Sequence, residues 1–419
     1  MGQESPCRVR HREVRLTLFR SVPVPLFDLS RLGPQVDEAV RDAALRVLGH
    51  RGYVLGAEVE AFEKDLEAYL AQNREECHAV GMSSGTDAQL ALLMALGIGH
   101  GDAVISTPYT FFATAGCIHR TGAEILFCDI NPSTFMMDPE SLRSLLASLQ
   151  RGSDGFLHSP KGNRVRLIVP IHLFGAICDL EKIMAISAEF GVEVLEDAAQ
   201  ILGGEYLWKQ GTKKAGIIAP TSYVSFYPSK NLGAAGDAGV ALCLDAEMAE
   251  NLRRIRNHGM EQRYYHKVVG GNFRIDAIQA AVLRAKLPFL DGWNATRRAN
   301  AAEYRAAFTA AGLLDRVTLP AEPHLSSGLT NHHIYHQYVI RVKDRGAVMA
   351  RLTEKKIGCA IYYPVPLHLQ ECFAYLGHKS GDFPVSELAA KESLALPIFP
   401  GLRQDEIGEV VAGIRESIA

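Results

Sequence analysis

Lys230 is the residue of this sequence best placed to act as a nucleophile. It lies in a glycine-rich loop next to aromatic and proline residues, and two predicted core strands flank that loop. A lysine held in such a place is partly withdrawn from water, which lowers its pKa and lets the free amine attack a carbonyl group. The alternative is a buried structural lysine that pairs with an acid such as Asp237.

Two acidic residues, Glu196 and Asp197, end an otherwise apolar predicted strand. A carboxylate in such a place needs a cationic partner. The protonated nitrogen of a pyridine ring would be one, and a ring charged in this way becomes the electron sink that carbanion chemistry requires. A structural salt bridge or the cap of the next helix would explain these carboxylates equally well.

A turn of small residues, 83–87, directly precedes an apolar helix and contains Gly85 and Thr86. The free N–H groups and the positive dipole end of such a helix start suit a phosphate, although an ordinary helix cap is the alternative. All three segments end a predicted strand or open a helix. Since open α/β sheets bind ligands at the carboxyl ends of their strands, we expect the three segments to converge on one crevice.

The pattern along the chain predicts the sheet that must position these residues. From residue 36 to residue 275, short β-branched runs alternate with amphipathic helical stretches such as residues 179–190. This alternation predicts a large doubly wound α/β domain around a mainly parallel sheet. The predicted strands are residues 103–106, 124–128, 167–171, 192–195, 223–226 and 240–244.

A second, smaller α/β domain is predicted at the C-terminal end. Residues 275–311 are strongly helical and can link the two domains, after which 338–342 and 359–363 resemble strands and 347–356 and 405–418 resemble helices. We therefore expect a large domain over residues 25–300 and a small one over residues 301–419. Residues 1–24 form a leader to which the sequence assigns no role.

Composition excludes several classes of partner. The formal net charge is −3 and no Lys/Arg run occurs, so electrostatics gives no argument for nucleic acid. No apolar run approaches membrane-spanning length, and the first twenty residues are too polar and too charged for a signal peptide. The eight cysteines form no C-x-x-C pair and no zinc-like spacing. We expect a cytoplasmic protein without a metal site and without a membrane partner.

Ten motifs give the sequence a resemblance to a known family. They are GYVLG (52–56), SGTDA (84–88), PYTFFAT (108–114), HLFG (172–175), EDAAQ (196–200), SFYPSKNLGAAGDAG (225–239), NHG (257–259), GNFR (271–274), QAAVL (279–283) and YYPVPLH (362–368). Over nearly the whole chain the sequence resembles the sugar aminotransferases of the DegT/DnrJ/EryC1/StrS group. These are fold-type-I enzymes that use pyridoxal 5′-phosphate (PLP).

The resemblance implies a role for each candidate residue. Lys230 corresponds to the Schiff-base lysine and Asp197 to the partner of the pyridinium nitrogen. The other cofactor contacts would be the phosphate donors Gly85, Thr86 and Ser225, the stacking ring of Phe111, the ring-oxygen contact Gln200, and Asn272, which reaches the phosphate of the neighbouring subunit. Arg274 would face the same shared site, and Tyr363 and His368 would border the sugar-nucleotide pocket.

The implied reaction is a ping-pong transamination by a homodimer with shared active sites. Glutamate is the expected amino donor, and the acceptor is a ketone on a nucleotide-linked sugar. The run at residues 231–237 is more similar to members that act on 3-keto sugars than to those that act on 4-keto sugars. Two alternatives remain at this stage: a keto-inositol as acceptor, and a non-catalytic regulatory protein that keeps the fold and senses a ligand.

Overall fold

The computed structural model describes residues 24–71, 77–209 and 211–418. Its helices are α1 (Pro34–His50), α2 (Ala57–Ala71), α3 (Gly85–Ala95), α4 (Ala113–Thr121), α5 (Pro139–Ser148), α6 (Leu180–Phe190), α7 (Ala246–Arg256), α8 (Ala277–Lys286), α9 (Leu290–Ala310), α10 (Arg345–Glu354), α11 (Pro384–Glu392) and α12 (Gln404–Ile418).

The strands of the large domain are β1 (His78–Met82), β2 (Asp102–Ser106), β3 (Glu124–Phe127), β4 (Gln150–Arg151), β5 (Leu157–His158), β6 (Arg164–Ile168), β7 (Glu193–Asp197), β8 (Glu205–Trp208), β9 (Gly211–Lys214), β10 (Thr221–Ser225), β11 (Gly239–Cys243), β12 (Met260–Gln262) and β13 (Tyr265–His266). Three more, β14 (Val317–Thr318), β15 (Tyr338–Val342) and β16 (Ser393–Leu396), lie towards the C-terminus.

One large sheet organises the first domain, in the strand order β1-β11-β10-β7-β6-β2-β3. All neighbours from β10 to β3 are parallel, whereas β11 runs antiparallel to both β1 and β10. This confirms the predicted doubly wound, mainly parallel architecture. The six predicted core strands all form, with ends displaced by at most a few residues.

Both faces of this sheet are covered, because its strands are apolar on both sides. In β2, Ala103 and Ile105 belong to one buried cluster and Val104 to the other, as alternation along a strand requires. Helix α3 is packed beside β1, β10 and β11, and its residues Leu90–Leu93 are buried. The sheet direction therefore brings the ends of β1, β7 and β10 to one edge, where β11 also begins.

The small domain is a three-stranded antiparallel sheet, β14-β15-β16, packed with α9, α10 and α12. The strand predicted at residues 338–342 is confirmed as β15. The strand predicted at residues 359–363 is wrong: only Ala360 makes an isolated bridge, to Ala395. The expected boundary at residue 300 falls inside α9, which is continuous from Leu290 to Ala310.

The beginning of the described chain packs on the small domain, although the sequence assigned Val24 to the leader and Arg31 to the large domain. Val24 is buried in the small-domain core and pairs with Ile357. Arg31 donates two hydrogen bonds of 2.9 Å to the buried carboxylate of Glu406 on α12. The remainder of the predicted leader, residues 1–23, lies outside the described residues.

The described residues contain neither a membrane-spanning helix nor a cluster of metal-ligating side chains. Among residues 24–71, 77–209 and 211–418, no helix is long and apolar enough to cross a membrane. Within the same ranges, no group of three or more His, Cys, Asp or Glu side chains could hold a metal ion.

Candidate functional site

Lys230 lies in the loop between β10 and β11, at the carboxyl edge of the large sheet. Its backbone N–H donates to the carbonyl of Tyr227 at 2.8 Å, which closes a turn. Burial lowers the pKa of Lys230 to about 8, and the nearby carboxylate of Asp197 opposes this change. Asp237, the acid considered as its structural partner, is exposed, and none of the ion pairs of the described residues includes Lys230. A lysine with a lowered pKa and no ion pair among these residues is suited to attack on a carbonyl group.

Asp197 ends β7 and is held by three donors. The hydroxyl groups of Tyr223 and Thr114 donate to its Oδ2 at 2.5 and 3.3 Å, and the N–H of Ala199 donates to its Oδ1 at 3.0 Å. Burial raises the pKa of Asp197, while the bonds from Tyr223 and Ala199 oppose that rise. A carboxylate offers about four acceptor sites, so Asp197 can accept one further hydrogen bond from a cationic ring nitrogen.

The neighbouring carboxylate, Glu196, is structural. Its oxygens accept hydrogen bonds from Nε2 of His172 at 2.9 Å and from the backbone N–H groups of Gly216, Ile218 and Ala219 at 2.5–3.2 Å. Glu196 has no exposed surface. The two interpretations of the acidic pair therefore apply to different members: Glu196 anchors a loop, and Asp197 is near enough to Lys230 to influence its pKa.

The start of α3 lies directly against the end of β10. An added Cβ on Gly85 would lie 2.7 Å from the Cβ of Ser225, and one on Gly239 would lie 2.4 Å from the N atom of Gly85. Ser84 caps the helix by accepting from the N–H of Asp87 at 3.0 Å. The N–H groups of Gly85 and Thr86, the first two helical residues, have no acceptor within the helix. They lie beside Ser225 and form a cradle suited to a phosphate.

Phe111, Gln200 and Tyr363 form one group near these residues. Gln200 accepts from the N–H of Phe174 at 2.7 Å and donates to the hydroxyl of Tyr363 at 3.2 Å. The ring of Phe111 lies 6.2 Å from that of Tyr363, and 57% of Phe111 is exposed. An exposed aromatic face beside buried polar groups is suited to stacking on a planar ligand.

Asn272 and Arg274 lie at the outer edge of the sheet, beside β1. Arg274 pairs with Met82 through the backbone, and its Nη1 donates to Oδ1 of Asn257 at 2.7 Å. Asn272 pairs with Asn257 through the backbone and is exposed. Met82, the partner of Arg274, ends β1 just before α3, but no hydrogen bond or ion pair of the described chain joins Asn272 or Arg274 to the other candidate site residues.

His368 is not brought to this group. Its ring is buried against Phe383 at 4.8 Å, and its Nε2 lies 3.1 Å from Oε1 of Glu387. Among the described residues these contacts belong to the packing of the segment before α11, so the structure lends no support to the predicted substrate contact by His368.

Two residues at the site were missed by the sequence analysis, Tyr223 and Thr114. A signal for Tyr223 was present, because Tyr223 and Ser225 are two positions apart on one strand and therefore share a face. Tyr223 is directly opposite Asp197 in the parallel pairing of β10 with β7. No comparable signal identifies Thr114, which reaches Asp197 from the start of α4.

Comparison with known proteins agrees with this geometry. The chain is 40% identical to a pleiotropic regulatory protein of Geobacillus stearothermophilus, over 94% of this chain and 98% of that protein. It is 36% identical to the UDP-N-acetyl-3-dehydro-alpha-D-glucosamine 3-aminotransferase of Acidithiobacillus ferrooxidans, over 96% of this chain and 100% of the relative.

A solved structure is also similar over nearly its full length. It is S. venezuelae DesV in complex with a ketimine intermediate, which has a TM-score of 0.83, 34% identity, and coverage of 94% of this chain and 98% of that one. The profile of the DegT/DnrJ/EryC1/StrS aminotransferase family matches residues 34–415. The chain therefore belongs to the DegT/DnrJ/EryC1/StrS aminotransferase family.

Proposed function

We propose that this protein is a PLP-dependent aminotransferase that transfers an amino group from glutamate to C3 of a nucleotide-linked ketosugar. The observation that carries the proposal is the convergence of three groups at one sheet edge. These are an amine of lowered pKa at Lys230, a buried carboxylate at Asp197, and the start of α3 against Ser225.

The residues present fit PLP. Gly85, Thr86 and Ser225 would donate to its phosphate, and the absence of a side chain at Gly85 lets the start of α3 lie directly against Ser225. Asp197 would pair with the ring nitrogen and Phe111 would stack on the ring. Gln200, whose amide is oriented by Phe174 and Tyr363, would contact the ring oxygen. Lys230 would hold the cofactor covalently.

The chain's own contribution to the reaction is proton transfer and orientation. When bound, PLP supplies the electron sink for the bond that breaks at the α-carbon of the amino donor. Lys230 Nζ, freed by the donor amine, would accept the proton released at that α-carbon and donate it again in the next proton transfer. Proton transfer by a positioned group contributes about 10²–10⁴-fold. Because burial lowers its pKa to about 8, Lys230 is partly unprotonated near neutral pH and can accept that proton.

The choice of C3 and of glutamate rests on resemblance and on one relative. Residues 231–237 are similar to the corresponding run of members that act on 3-keto sugars. The Acidithiobacillus relative is itself named for a 3-dehydro sugar and a 3-amino product. Arg274 has one Nη1 bond to Asn257, and its guanidinium can hold a carboxylate of the donor or the sugar.

Covalent labelling tests the assignment of the cofactor site. Borohydride reduction of the PLP-loaded protein, followed by peptide mapping, should place the label on Lys230. Lys286 provides an internal control, because burial also lowers its pKa to about 8. A label on Lys286 or another lysine would contradict the proposal.

A panel of nucleotide-linked ketosugars tests the acceptor. The pyridoxamine-phosphate form of the protein should convert a 3-keto sugar, and NMR of the product should find nitrogen on C3. Nitrogen on C4 would overturn the choice of C3 but not the assignment as an aminotransferase.

A regulatory role is the second candidate, since the Geobacillus relative is named a regulatory protein. The two candidates differ in what glutamate does to the PLP-loaded protein. An aminotransferase shifts the visible absorption band when glutamate is added, because the amino group is transferred. A ligand sensor without turnover leaves the band in place.

The proposed enzyme is a homodimer with shared active sites. Asn272 is exposed in the single chain, and among the described residues no hydrogen bond joins its side chain to the other candidate residues. In a dimer with two-fold symmetry, it could complete the phosphate site of the neighbouring subunit, together with Arg274.

A further inference from the structure

The residue after the reactive lysine, Asn231, has a buried side-chain amide whose hydrogen bonds leave the loop. Its Nδ2 donates to Oδ1 of Asn294 on α9 at 2.6 Å and to the carbonyl of Ile334 at 3.3 Å. Its Oδ1 lies 3.0 Å from Nδ1 of His336. The loop that carries Lys230 is thus fastened at one amide to α9 and to the segment that precedes β15.

The donors and acceptors in this chain of hydrogen bonds are determined by its contact at the Asn294 end. Nδ2 of Asn294 donates to the carbonyl of Leu202 at 3.2 Å, and a carbonyl can only accept. Oδ1 of Asn294 therefore faces Asn231, whose Nδ2 must donate to it. The remaining atom, Oδ1 of Asn231, is an acceptor, so Nδ1 of His336 must carry the proton.

His336 is itself held in place without help from the lysine loop. Arg297 donates to the carbonyls of Tyr335 and His336, each at 3.1 Å, and to that of Ile398 at 3.0 Å. On the other side, an added Cβ on Gly175 would lie 2.4 Å from the N atom of His336, so the two segments are in close contact. His336 thus offers a fixed donor to Asn231.

Electrostatics agrees with this arrangement. Burial lowers the pKa of His336 well below its usual value, and the charge of Lys230 lowers it further. His336 therefore remains neutral, with one N–H, and adds no second positive charge near the lysine.

We propose that His336 is a positioning residue for Lys230: its Nδ1–H holds Asn231, and Asn231 sets the conformation of the loop that presents the lysine amine. The inference rests on the proposed PLP chemistry of Lys230. In this proposal the position of the reactive lysine depends on His336, which lies on the small-domain side of the molecule. His336 acts through Asn231 and not by contact with the cofactor or the substrate.

The test compares covalent capture of PLP with non-covalent binding of pyridoxamine phosphate. Both compounds need the phosphate cradle and Asp197, but only PLP bonds to Lys230. In His336→Phe, Oδ1 of Asn231 loses its donor and remains buried, a loss that corresponds to about a tenfold effect. We expect the rate of PLP capture, followed by its absorbance, to fall by about tenfold. The dissociation constant of pyridoxamine phosphate should stay within about twofold of the wild-type value.

Rescue and control variants separate positioning from loss of structure. His336→Asn keeps a side-chain N–H donor and should restore much of the capture rate. His333→Phe is the matched control in the same buried segment, because Nδ1 of His333 accepts from the N–H of Tyr335 and does not contact the loop. It should change the melting temperature but not the capture rate.

Each outcome decides the question. Equal loss of PLP capture and pyridoxamine phosphate binding in His336→Phe would overturn positioning in favour of a general structural role. So would an unchanged capture rate, or a His336→Asn variant no better than His336→Phe. If the wild-type protein captured no PLP on Lys230, the proposed function would fail instead, and that result is visible before any variant is made.

Discussion

At the scale of single residues, the carboxylate of Asp197 is buried but keeps room for a cationic partner. Two hydroxyl groups and one backbone N–H stabilise its ionised form, while burial favours the neutral form. A cationic ring nitrogen beside it would restore the balance towards the carboxylate, because an opposite charge within a few ångströms lowers a carboxyl pKa.

Replacing Asp197 with Asn should therefore reduce turnover strongly and leave cofactor binding largely intact. Removing one charge of a buried pair costs about 3–5 kcal/mol, which corresponds to a loss of turnover of about 10²–10⁴-fold. Steady-state kinetics with glutamate measures this loss, and PLP content measures binding. Tyr223→Phe, which removes one of the three donors, should cost about tenfold. Near-normal turnover of Asp197→Asn would show that the ring nitrogen needs no carboxylate.

At this scale the sequence predicted the site residues that lie at or just after the end of a strand. Lys230, Asp197 and Ser225 each follow or end a strand, and the rule that ligands bind at carboxyl ends of strands brought them together in advance. The rule could not tell which of Glu196 and Asp197 is structural, because the partners of Glu196 are backbone N–H groups of residues 216–219. Such bonds leave no trace in residue types.

At the scale of elements, the contact between α3 and β10 depends on Gly85. Gly85→Ala would place a methyl group 2.7 Å from the Cβ of Ser225, so α3 and β10 would have to separate. Overpacking of this kind costs about 1–3 kcal/mol. We expect PLP affinity, measured by absorbance titration, to fall by about ten- to a hundredfold as the phosphate donors move apart.

Gly49→Ala is the matched control for that prediction. Gly49 lies in α1 with no atom within 4 Å of an added Cβ, so alanine there should leave PLP affinity unchanged. It should raise helix stability by about 0.5–1 kcal/mol. Equal PLP affinities for the two variants would refute the cradle at Gly85.

A second contact between elements joins α8 to the lysine loop. Nζ of Lys286 donates to the carbonyl of Gly233 at 2.5 Å, and burial lowers the pKa of Lys286 to about 8. The unfolded chain keeps the ordinary value of 10.5 and so binds more protons than the folded chain between pH 8 and 10.5. Folding stability contributed by this group therefore rises with pH across that window.

The variant Lys286→Met tests the sign of this effect. The unfolding free energy of the wild type, relative to that of Lys286→Met, should increase between pH 8 and about pH 10 in chemical denaturation without cofactor. Lys230 is present in both proteins, so its own titration cancels in the difference. A difference that stays constant or decreases over this range would contradict the lowered pKa.

The sequence predicted the strands and helices of the large domain, where apolar runs and helical stretches alternate repeatedly. It failed where a strand depends on the partner strand with which it pairs. The strand expected at residues 359–363 has strong β-forming residues, yet only Ala360 finds a partner there. The neighbour of β15 is instead β16, Ser393–Leu396, which is fully buried and too short for a recognisable alternation. Propensity describes a segment alone, whereas a strand exists only with its partner.

At the scale of the whole molecule, the two domains meet around α9. Asn294 on this helix contacts the lysine loop, and Arg297 holds the segment that leads into the small-domain sheet. The sequence predicted a helical link here but not that its side chains would form hydrogen bonds with both domains. Buried asparagine and arginine side chains satisfy carbonyls that only the fold places nearby.

The largest assembly predicted is a dimer in which each active site contains residues of both chains. Asn272→Asp should weaken PLP binding, because a carboxylate would face the cofactor phosphate of the neighbouring subunit. Lys230→Ala should have no turnover. Each variant alone is therefore inactive, and the two defects lie in different chains at any one site.

Mixing the two inactive variants tests whether sites are shared. After random subunit exchange, about half of the dimers contain one chain of each kind. In such a dimer, one site has both defects and the other takes Lys230 from one chain and Asn272 from its partner, so that site is intact. Recovered activity should approach about a quarter of the wild-type value per subunit if the sites act independently. Mixing a tagged with an untagged chain and recovering untagged chain on the tag shows independently that exchange occurs. If that control succeeds and the two variants recover no activity, Asn272 serves the site of its own chain.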